Sequence, residues 1–207
     1  MPLTYKAGAS ATEYKLVPEG THIMICYLVA DLGLQPGSAK FPNPKQQVHL
    51  HFEIPEERID DKPMVIGKTY TASMNEKANL RKDLVSWRGK DFTDEQAEAF
   101  DVSSVLGVAC MGVVVHNKVG DKEYANITSI SGLPKGFARP KAENPPILFN
   151  NDGSDKPGIL PEWLQKKVDA QIRAKAPQKQ DFAIVDEMPD YNGNFGDQGI
   201  TDDDIPF

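Results

Sequence analysis

Basic side chains cluster near two aromatic rings in the stretch KANLRKDLVSWRGKDF, residues 77–92. Single-stranded nucleic acids are bound by cations that follow the phosphate backbone and by aromatic rings on which bases stack, each stack contributing about 1–3 kcal/mol. The stretch offers both kinds of side chain, and we predict DNA contacts from Lys77, Arg81, Lys82, Trp87, Arg88 and Lys90. The alternative is a solvated helix face with Trp87 in the core.

Further candidate DNA-binding residues lie in predicted strands, turns and loops: Tyr27, Lys40, Phe41, Lys45, His49, His51, Lys118, Lys122 and Tyr124. Lys40 and Phe41 belong to a loop rich in proline and glycine that could fold over a bound strand. The two-residue period of a strand places His49 and His51 on one face. We expect this face to point outward, toward DNA, if the intervening apolar residues point inward. A core or surface role is the alternative for each candidate.

The chain ends in three carboxylates followed by Ile-Pro-Phe. A basic pocket with a hydrophobic slot could capture the terminal ring together with its α-carboxylate. The aspartates would add an attraction that weakens with salt. This pattern predicts a partner-binding site made of Asp202, Asp203, Asp204, Ile205, Pro206 and Phe207. A frayed acidic terminus is the alternative.

Catalysis has weaker signals in the sequence. His49 and His51 could ligate a metal ion, with Asp60 and Asp61 or Glu56 and Glu57 completing a nuclease site. Nothing in the spacing fixes a third ligand, and no phosphate-binding glycine loop of the Gly-x-x-x-x-Gly-Lys type is present. We therefore expect no catalytic residue, no metal and no cofactor, and we retain a metal-dependent nuclease as the less favoured alternative.

The net charge of -7 does not argue against a nucleic-acid partner. Residues 181–207 carry eight acidic side chains and no lysine or arginine, so the rest of the chain has a balance of +1. Cys26 and Cys110 lie in apolar runs typical of buried thiols in a reducing compartment. The sequence shows no secretory signal and no apolar run long enough to span a bilayer. We expect a cytoplasmic protein.

The hydrophobic pattern predicts a mainly β protein with inserted helices. Strands are expected at residues 21–31, 46–54, 65–73, 108–117 and 123–131, with a bulge or bend at Gly67. A helix is predicted from Asn75, as its cap, to Arg88, and a second helix begins after Thr93. Five strands with helices between the third and the fourth is the order of an OB fold, a small, partly open barrel that often binds oligonucleotides.

Four regions follow from this order: an N-terminal arm (1–14), an OB-fold domain that binds single-stranded DNA (15–136), a proline-rich linker with a short amphipathic helix (137–176), and a disordered acidic tail (177–207). The helical spacing of Leu164, Val168 and Ile172 predicts either a helix docked on its own barrel or a surface for homo-oligomerisation.

Two resemblances add to these residues. The last seven residues resemble the C-terminal tip of bacterial single-stranded DNA-binding proteins, which implies an OB fold and recruitment of replication and repair proteins. Residues 65–136, with Tyr70-Thr71-Ala72-Ser73, resemble the corresponding region of single-stranded DNA-binding proteins of tailed bacteriophages, which implies a phage or prophage source and a bacterial or phage-infected host cell. The expected function is non-catalytic binding and protection of single-stranded DNA during replication, recombination or repair. The leading alternative is a protein-recruitment adaptor with an OB fold.

Overall fold

The computed structural model describes residues 15–37, 42–155 and 157–172. Its strands are β1 (Gly20–Gln35), β2 (Lys45–Ile59), β3 (Lys62–Thr71), β4 (Ala109–Val119), β5 (Lys122–Ser131) and β6 (Ile147–Phe149). Its α-helices are α1 (Asn79–Arg88), α2 (Asp94–Glu98) and α3 (Glu162–Asp169), with short 3-10 helices at Val102–Val105 and Pro157–Ile159. The prediction of a mainly β protein with a few short helices is confirmed. None of the described helices is long and apolar enough to cross a membrane.

The six strands form one mainly antiparallel sheet in the order β3-β2-β1-β4-β5, and β6 pairs in parallel with β1. The long β1 makes this arrangement possible because it pairs with β2 on one side and with β4 and then β6 on the other. Strands β3 and β5 contact each other, but no hydrogen-bonded ladder joins them within the described residues. The sheet is therefore not closed, and the five-stranded barrel stays a prediction.

One face of the sheet packs against α1 and forms the main core. Val48, Leu50 and Phe52 alternate along β2 and are buried there with Leu80 and Leu84 of α1. Successive side chains of a strand point to opposite faces, so this row leaves the intervening residues of β2 on the outer face. The expected alternation is confirmed. Both cysteines are free and buried, as their apolar surroundings predicted.

The start of α1 differs from the prediction. The N-cap is Ala78, which has an extended backbone and makes no side-chain capping bond. The Asn75 side chain instead accepts a hydrogen bond from the Lys77 amide at 3.1 Å, in the turn that precedes the helix. The remaining caps agree with the sequence. Gly89 ends α1 in the left-handed conformation at φ 72°, and Thr93 caps α2 by accepting from the Gln96 amide at 3.2 Å.

Gly67 does not mark a bulge. It pairs with His51 in continuous register, whereas the irregularity of this strand pair falls between Ile54 and Arg58. A Cβ atom at position 67 would stand 2.4 Å from His49 Nε2. Gly67 is therefore explained by the close approach of the His49 ring, since no larger residue leaves room for it.

The C-terminal segment, residues 143–172, packs on the outer face of the sheet. Leu164 and Val168 of α3 are buried with Phe149 of β6 against Leu28 and Ala30 of β1, which forms a second core. The prediction that this helix docks on its own sheet is confirmed. The expected linker of residues 137–176 thus contains, in its described part, a strand and a packed helix.

A buried carboxylate fastens the beginning of this segment. Glu53 of β2 is fully buried and accepts hydrogen bonds from the Glu143 amide at 2.7 Å, the Asn144 amide at 2.8 Å and the Asn144 side-chain amide at 2.6 Å. A buried carboxylate is tolerated only when donors of this kind replace its water. We call these three bonds the Glu53 clasp.

Candidate nucleic-acid interface

A polar groove of about 490 Å³ lies between strands β2 and β3 and the start of α1. Its lining combines three lysines with hydroxyl and amide side chains and contains no carboxylate: Lys45, Lys68, Lys77, Thr69, Tyr70, Thr71, Ser73, Asn75, Ala78 and Asn79. We call it the lysine groove. Ammonium groups beside neutral hydrogen-bonding groups suit an anionic ligand that also carries polar edges.

Three separate elements bring the lysines together. Lys45 opens β2, opposite the last residue of β1, and Lys68 lies in β3. Lys77 stands exposed in the Asn75 turn ahead of α1. Residues from distant parts of the sequence thus meet because the β1–β2 and β3–α1 connections end side by side.

Lys68 is held in place by a small network. Its Nζ atom lies 2.7 Å from Asp83 Oδ2, which also accepts the Tyr70 hydroxyl at 2.8 Å. Burial and the Asp83 carboxylate raise the pKa of Tyr70, so the phenol stays protonated and donates. The ion pair offsets part of the Lys68 charge, and the exposed Lys77 therefore contributes more of the groove's attraction for phosphate than Lys68 does.

Three predicted cations continue from the groove along and beyond α1. Lys82, Arg88 and Lys90 are exposed. The Arg88 guanidinium lies 4.8 Å from the centroid of the Phe92 ring and donates to Gln96 Oε1 at 3.3 Å. All three remain accessible to a ligand.

Arg81 and Trp87 are buried instead of exposed. Arg81 donates to the carbonyls of Met74 and Phe92 and forms an ion pair with Asp91 at 3.3 Å. Trp87 packs against Phe52 and donates from Nε1 to the Ala109 carbonyl at 3.1 Å. Both side chains hold α1 and its neighbours on the sheet. They are removed from the candidate surface, and for Trp87 the core alternative holds.

Tyr27, His49 and His51 are also covered. The two histidines lie on the outer face, as alternation predicted, but only 2% and 6% of their surfaces are exposed, because α3 lies over them. The Trp163 ring contacts both, with centroid separations of 5.0 Å to His49 and 6.2 Å to His51. Tyr27 is buried beside His51. These three rings are not accessible to DNA in this structure.

Burial keeps both imidazoles neutral. Desolvation, with smaller contributions from His51 and Lys167, lowers the pKa of His49 to about 3. Desolvation lowers the pKa of His51 to about 4. His49 Nδ1 forms a hydrogen bond with Thr69 Oγ1 at 2.8 Å, whereas His49 Nε2 and His51 Nδ1 have no partner within the structure.

The other predicted contacts lie elsewhere. Lys118, Lys122 and Tyr124 are exposed on the β4–β5 hairpin, outside the lining of the lysine groove. Lys40 and Phe41 fall outside the described residues, as do Asp202, Asp203, Asp204, Ile205, Pro206 and Phe207.

The sequence analysis missed Lys68, Thr69 and Trp163. Alternation in β3 places Lys68 on the same face as the buried Tyr70, so the pattern gave no reason to expect it at a surface. The helical spacing of α3 indicates the buried Leu164 and Val168 and says nothing about the role of Trp163. A large ring next to that apolar stripe was the available signal.

A second pocket, of about 310 Å³, is almost entirely apolar. Its single charge comes from Arg88. The rest of its lining includes buried aromatic side chains together with Leu84, Phe100, Val105 and Val108. Phe92 and Phe100 meet edge to face in its wall with centroids 5.0 Å apart. We call it the apolar pocket; its chemistry suits a hydrophobic side chain better than a phosphate.

Within the described residues, no three histidine, cysteine, aspartate or glutamate side chains cluster as a metal site would require. His49 and His51, the pair considered as ligands, lie under α3. No known family model and no curated protein that was compared with this chain matches it.

Proposed function

We propose that this protein binds single-stranded DNA without catalysis and protects it during replication, recombination or repair. The observation that carries the proposal is the lysine groove, in which three lysines surround a polar cleft whose lining contains no carboxylate. Phosphate contacts of this kind supply most of the sequence-independent affinity for nucleic acids. Hydroxyl and amide side chains can bond to sugar and base edges without selecting a sequence.

The strand arrangement supports this proposal. A long first strand that pairs with both the second and the fourth, and helices inserted between the third and the fourth, are features of an OB fold. OB folds bind oligonucleotides across strands two and three and the adjoining loops. We infer that the open sheet belongs to this class, and the lysine groove lies at β2 and β3, beside the β1–β2 connection.

Additional contacts extend the proposed surface. Lys82, Arg88 and Lys90 continue it along α1, and Lys40 and Phe41 contribute from the β1–β2 loop. Lys118, Lys122 and Tyr124 form a separate exposed set on the β4–β5 hairpin. The acidic C-terminal tip recruits replication and repair proteins in the cytoplasm of a bacterial or phage-infected cell.

A salt titration with charge-neutral variants tests the groove. Lys45→Gln and Lys77→Gln should each weaken binding of a labelled polythymidine oligonucleotide, measured by fluorescence anisotropy. Each should also reduce the slope of log K against log salt by about 0.7, the value for one lost phosphate contact on a single strand. Lys141→Gln, an exposed lysine outside the groove, is the matched control and should change neither quantity.

If the wild-type protein does not bind the oligonucleotide in dilute buffer, the proposal is overturned. Duplex DNA and single-stranded RNA of the same length belong in the same titration, because tighter binding of either would change the ligand class. If Lys141→Gln and Lys77→Gln change the affinity and the salt slope equally, the contact surface does not lie in the groove.

A protein-recruitment adaptor is the second candidate, and the apolar pocket is the observation in its favour. Pockets lined by aromatic and aliphatic side chains with one cation commonly accept an anchoring side chain of a partner. If the folded protein shows no binding to oligonucleotides at low salt, this result would favour the adaptor. The nuclease alternative requires metal-dependent cleavage of labelled DNA, which the same samples can report.

A further inference from the structure

A half-exposed tryptophan lies on the outer face of the sheet, beside the strands that carry the lysine groove. Trp163 of α3 is 44% exposed, and its ring meets the His49 ring at 87° with centroids 5.0 Å apart. His49 in turn bonds to Thr69 Oγ1 at 2.8 Å, and Thr69 lines the groove. We propose that Trp163 is the stacking platform for a base of the bound strand where that strand passes from the groove over the edge strand β3, and that Lys167 contacts the adjacent phosphate. This inference rests on the proposed function.

The groove needs a ring from outside its own lining. Tyr70 is its single aromatic lining residue, but it is 3% exposed and its hydroxyl is bound to Asp83. Bases stack on accessible aromatic faces, and such stacks tolerate any sequence. Tyr124 and Phe137 are also exposed rings, yet neither contacts a residue of the groove through the bonds and ring contacts of the described chain. The Trp163 ring is linked to the groove through one intervening residue, because it contacts His49 and His49 bonds to Thr69 of the lining.

The Trp163 ring is held before any ligand arrives. Leu164, next to Trp163, and Val168, one turn further along, anchor α3 in the second core. The far end of α3 is fixed by Gln35, whose side-chain amide donates to the Lys167 carbonyl at 3.0 Å. The indole stands nearly perpendicular to both histidine rings, and Trp163 nevertheless stays half-exposed. A ring positioned in advance loses little conformational entropy on stacking.

The charges around Trp163 favour an anionic strand. Lys167 Nζ lies 5.8 Å from the Trp163 ring centroid, and no carboxylate pairs with it in the described part of the chain. Its neighbour Lys166 differs, because it pairs with Glu162 at 2.7 Å. The histidine beneath the ring is neutral at pH 7, since burial and the nearby Lys167 lower its pKa to about 3. A phosphate beside the indole would thus meet one available cation.

Binding measurements with two oligonucleotides test the stacking. Trp163→Ala should weaken binding of a polythymidine oligonucleotide about 5- to 150-fold, the range that corresponds to one stacked base. Trp163→Phe should retain most of the affinity. On an abasic oligonucleotide of equal length and charge, Trp163→Ala and wild type should differ less than twofold. Ile159→Ala, an equally exposed apolar residue of the same segment, is the control and should bind both like wild type.

Fluorescence gives an independent readout in the intact chain. The protein has two tryptophans, so Trp87→Phe leaves Trp163 as the single indole. Polythymidine should quench its emission, and the abasic oligonucleotide should not. Thermal melting of each variant shows whether it is folded, and Trp163→Phe provides the test if Trp163→Ala is not.

The outcomes separate the two proposals. Unchanged emission and unchanged affinity of the Trp163 variants, while Lys45→Gln and Lys77→Gln weaken binding, would overturn the stacking platform and leave DNA binding in place. Equal losses on normal and abasic oligonucleotides would assign Trp163 a structural role and would also overturn it. Failure of wild type to bind any oligonucleotide would remove both proposals.

Discussion

The buried histidines His49 and His51 lower the stability of the folded protein. His49 Nε2 and His51 Nδ1 have no hydrogen-bond partner in the structure, and a buried polar atom left in this state costs about 1–3 kcal/mol. The rings compensate by packing against Trp163 and, for His51, Tyr27. These contacts suit neutral imidazoles, so the outer face depends on both rings staying unprotonated.

This dependence predicts a loss of stability in mild acid. The unfolded imidazoles take up protons near pH 6.5, whereas the folded pKa values are about 3 for His49 and about 4 for His51. The unfolded chain therefore binds more protons between pH 6.5 and 4, and the free energy of unfolding should fall by about 1 kcal/mol per pH unit for each ring as the pH drops through that window.

Urea unfolding at pH 7, 6 and 5 measures this slope. The double variant His49→Gln with His51→Gln should show a flatter dependence over the same range. Carboxylates whose pKa is lowered, such as Asp91 and Asp101, lose their contribution nearer pH 4 and below, so they do not mimic the effect. A wild-type slope equal to that of the double variant would contradict the prediction.

Among the elements, the C-terminal segment depends most on a single side chain. Glu53 receives three donors from residues 143 and 144, and no other acceptor replaces it in those bonds. Hydrogen bonds to an ionised group are roughly twice as strong as neutral ones. The Glu53 clasp therefore sets where the segment begins to follow the outer face.

Glu53→Gln should destabilise the protein by about 2–4 kcal/mol, because it removes the charge and leaves a buried amide donor facing another donor. Urea denaturation followed by circular dichroism measures the change. Glu56→Gln, an exposed glutamate of the same strand, is the control and should stay within about 0.5 kcal/mol of wild type. Equal stability of Glu53→Gln and wild type would show that the clasp contributes nothing.

Elements with a strong period were predictable, and those without one were not. Strand β2 was predictable from the alternating apolar residues Val48, Leu50 and Phe52, and the end of α1 was predictable from Gly89. Strand β6 was not predicted, because its three residues follow two prolines and are too few to show an alternating pattern. Its pairing with β1 also depends on a strand more than 100 residues away. Likewise Asn75 has the chemistry of a cap, but the helix starts only where Leu80 and Leu84 can reach the core.

The candidate site was only partly predictable for the same reason. The sequence placed Lys77, Lys82 and Arg88 near one another, and all three are exposed. It also placed Arg81 and the outward histidines on the surface, because a single strand or helix pattern does not tell which second element covers it. The burial of His49 was decided by α3, which lies more than 110 residues further along the chain.

At the scale of the whole molecule, charge is divided unevenly along the chain. Residues 181–207 contain eight acidic side chains and no lysine or arginine, while the remaining residues sum to +1. A tethered anionic segment raises the local concentration of negative charge around any cationic groove on the same chain. If the protein binds DNA as proposed, DNA and this segment compete for the lysine groove.

Removing residues 181–207 should tighten binding of polythymidine at low salt and have a smaller effect at high salt, because added ions screen the tail's charge. Anisotropy titrations in both salt regimes measure the difference. Replacing Asp202, Asp203 and Asp204 by asparagine keeps the length and should give part of the gain. Identical affinities in both regimes would contradict the competition.

The Glu53 clasp has a consequence for synthesis on the ribosome. Its donors follow it by 90 residues, so at 5–20 residues per second about 5–20 s pass before they emerge. During that interval the nascent strands β1 and β2 expose Leu28, Ala30 and His49 on a face that nothing yet shields. A chain stalled in this window would present an aggregation-prone surface to chaperones, and this face is covered only after residues 143–172 have been synthesised.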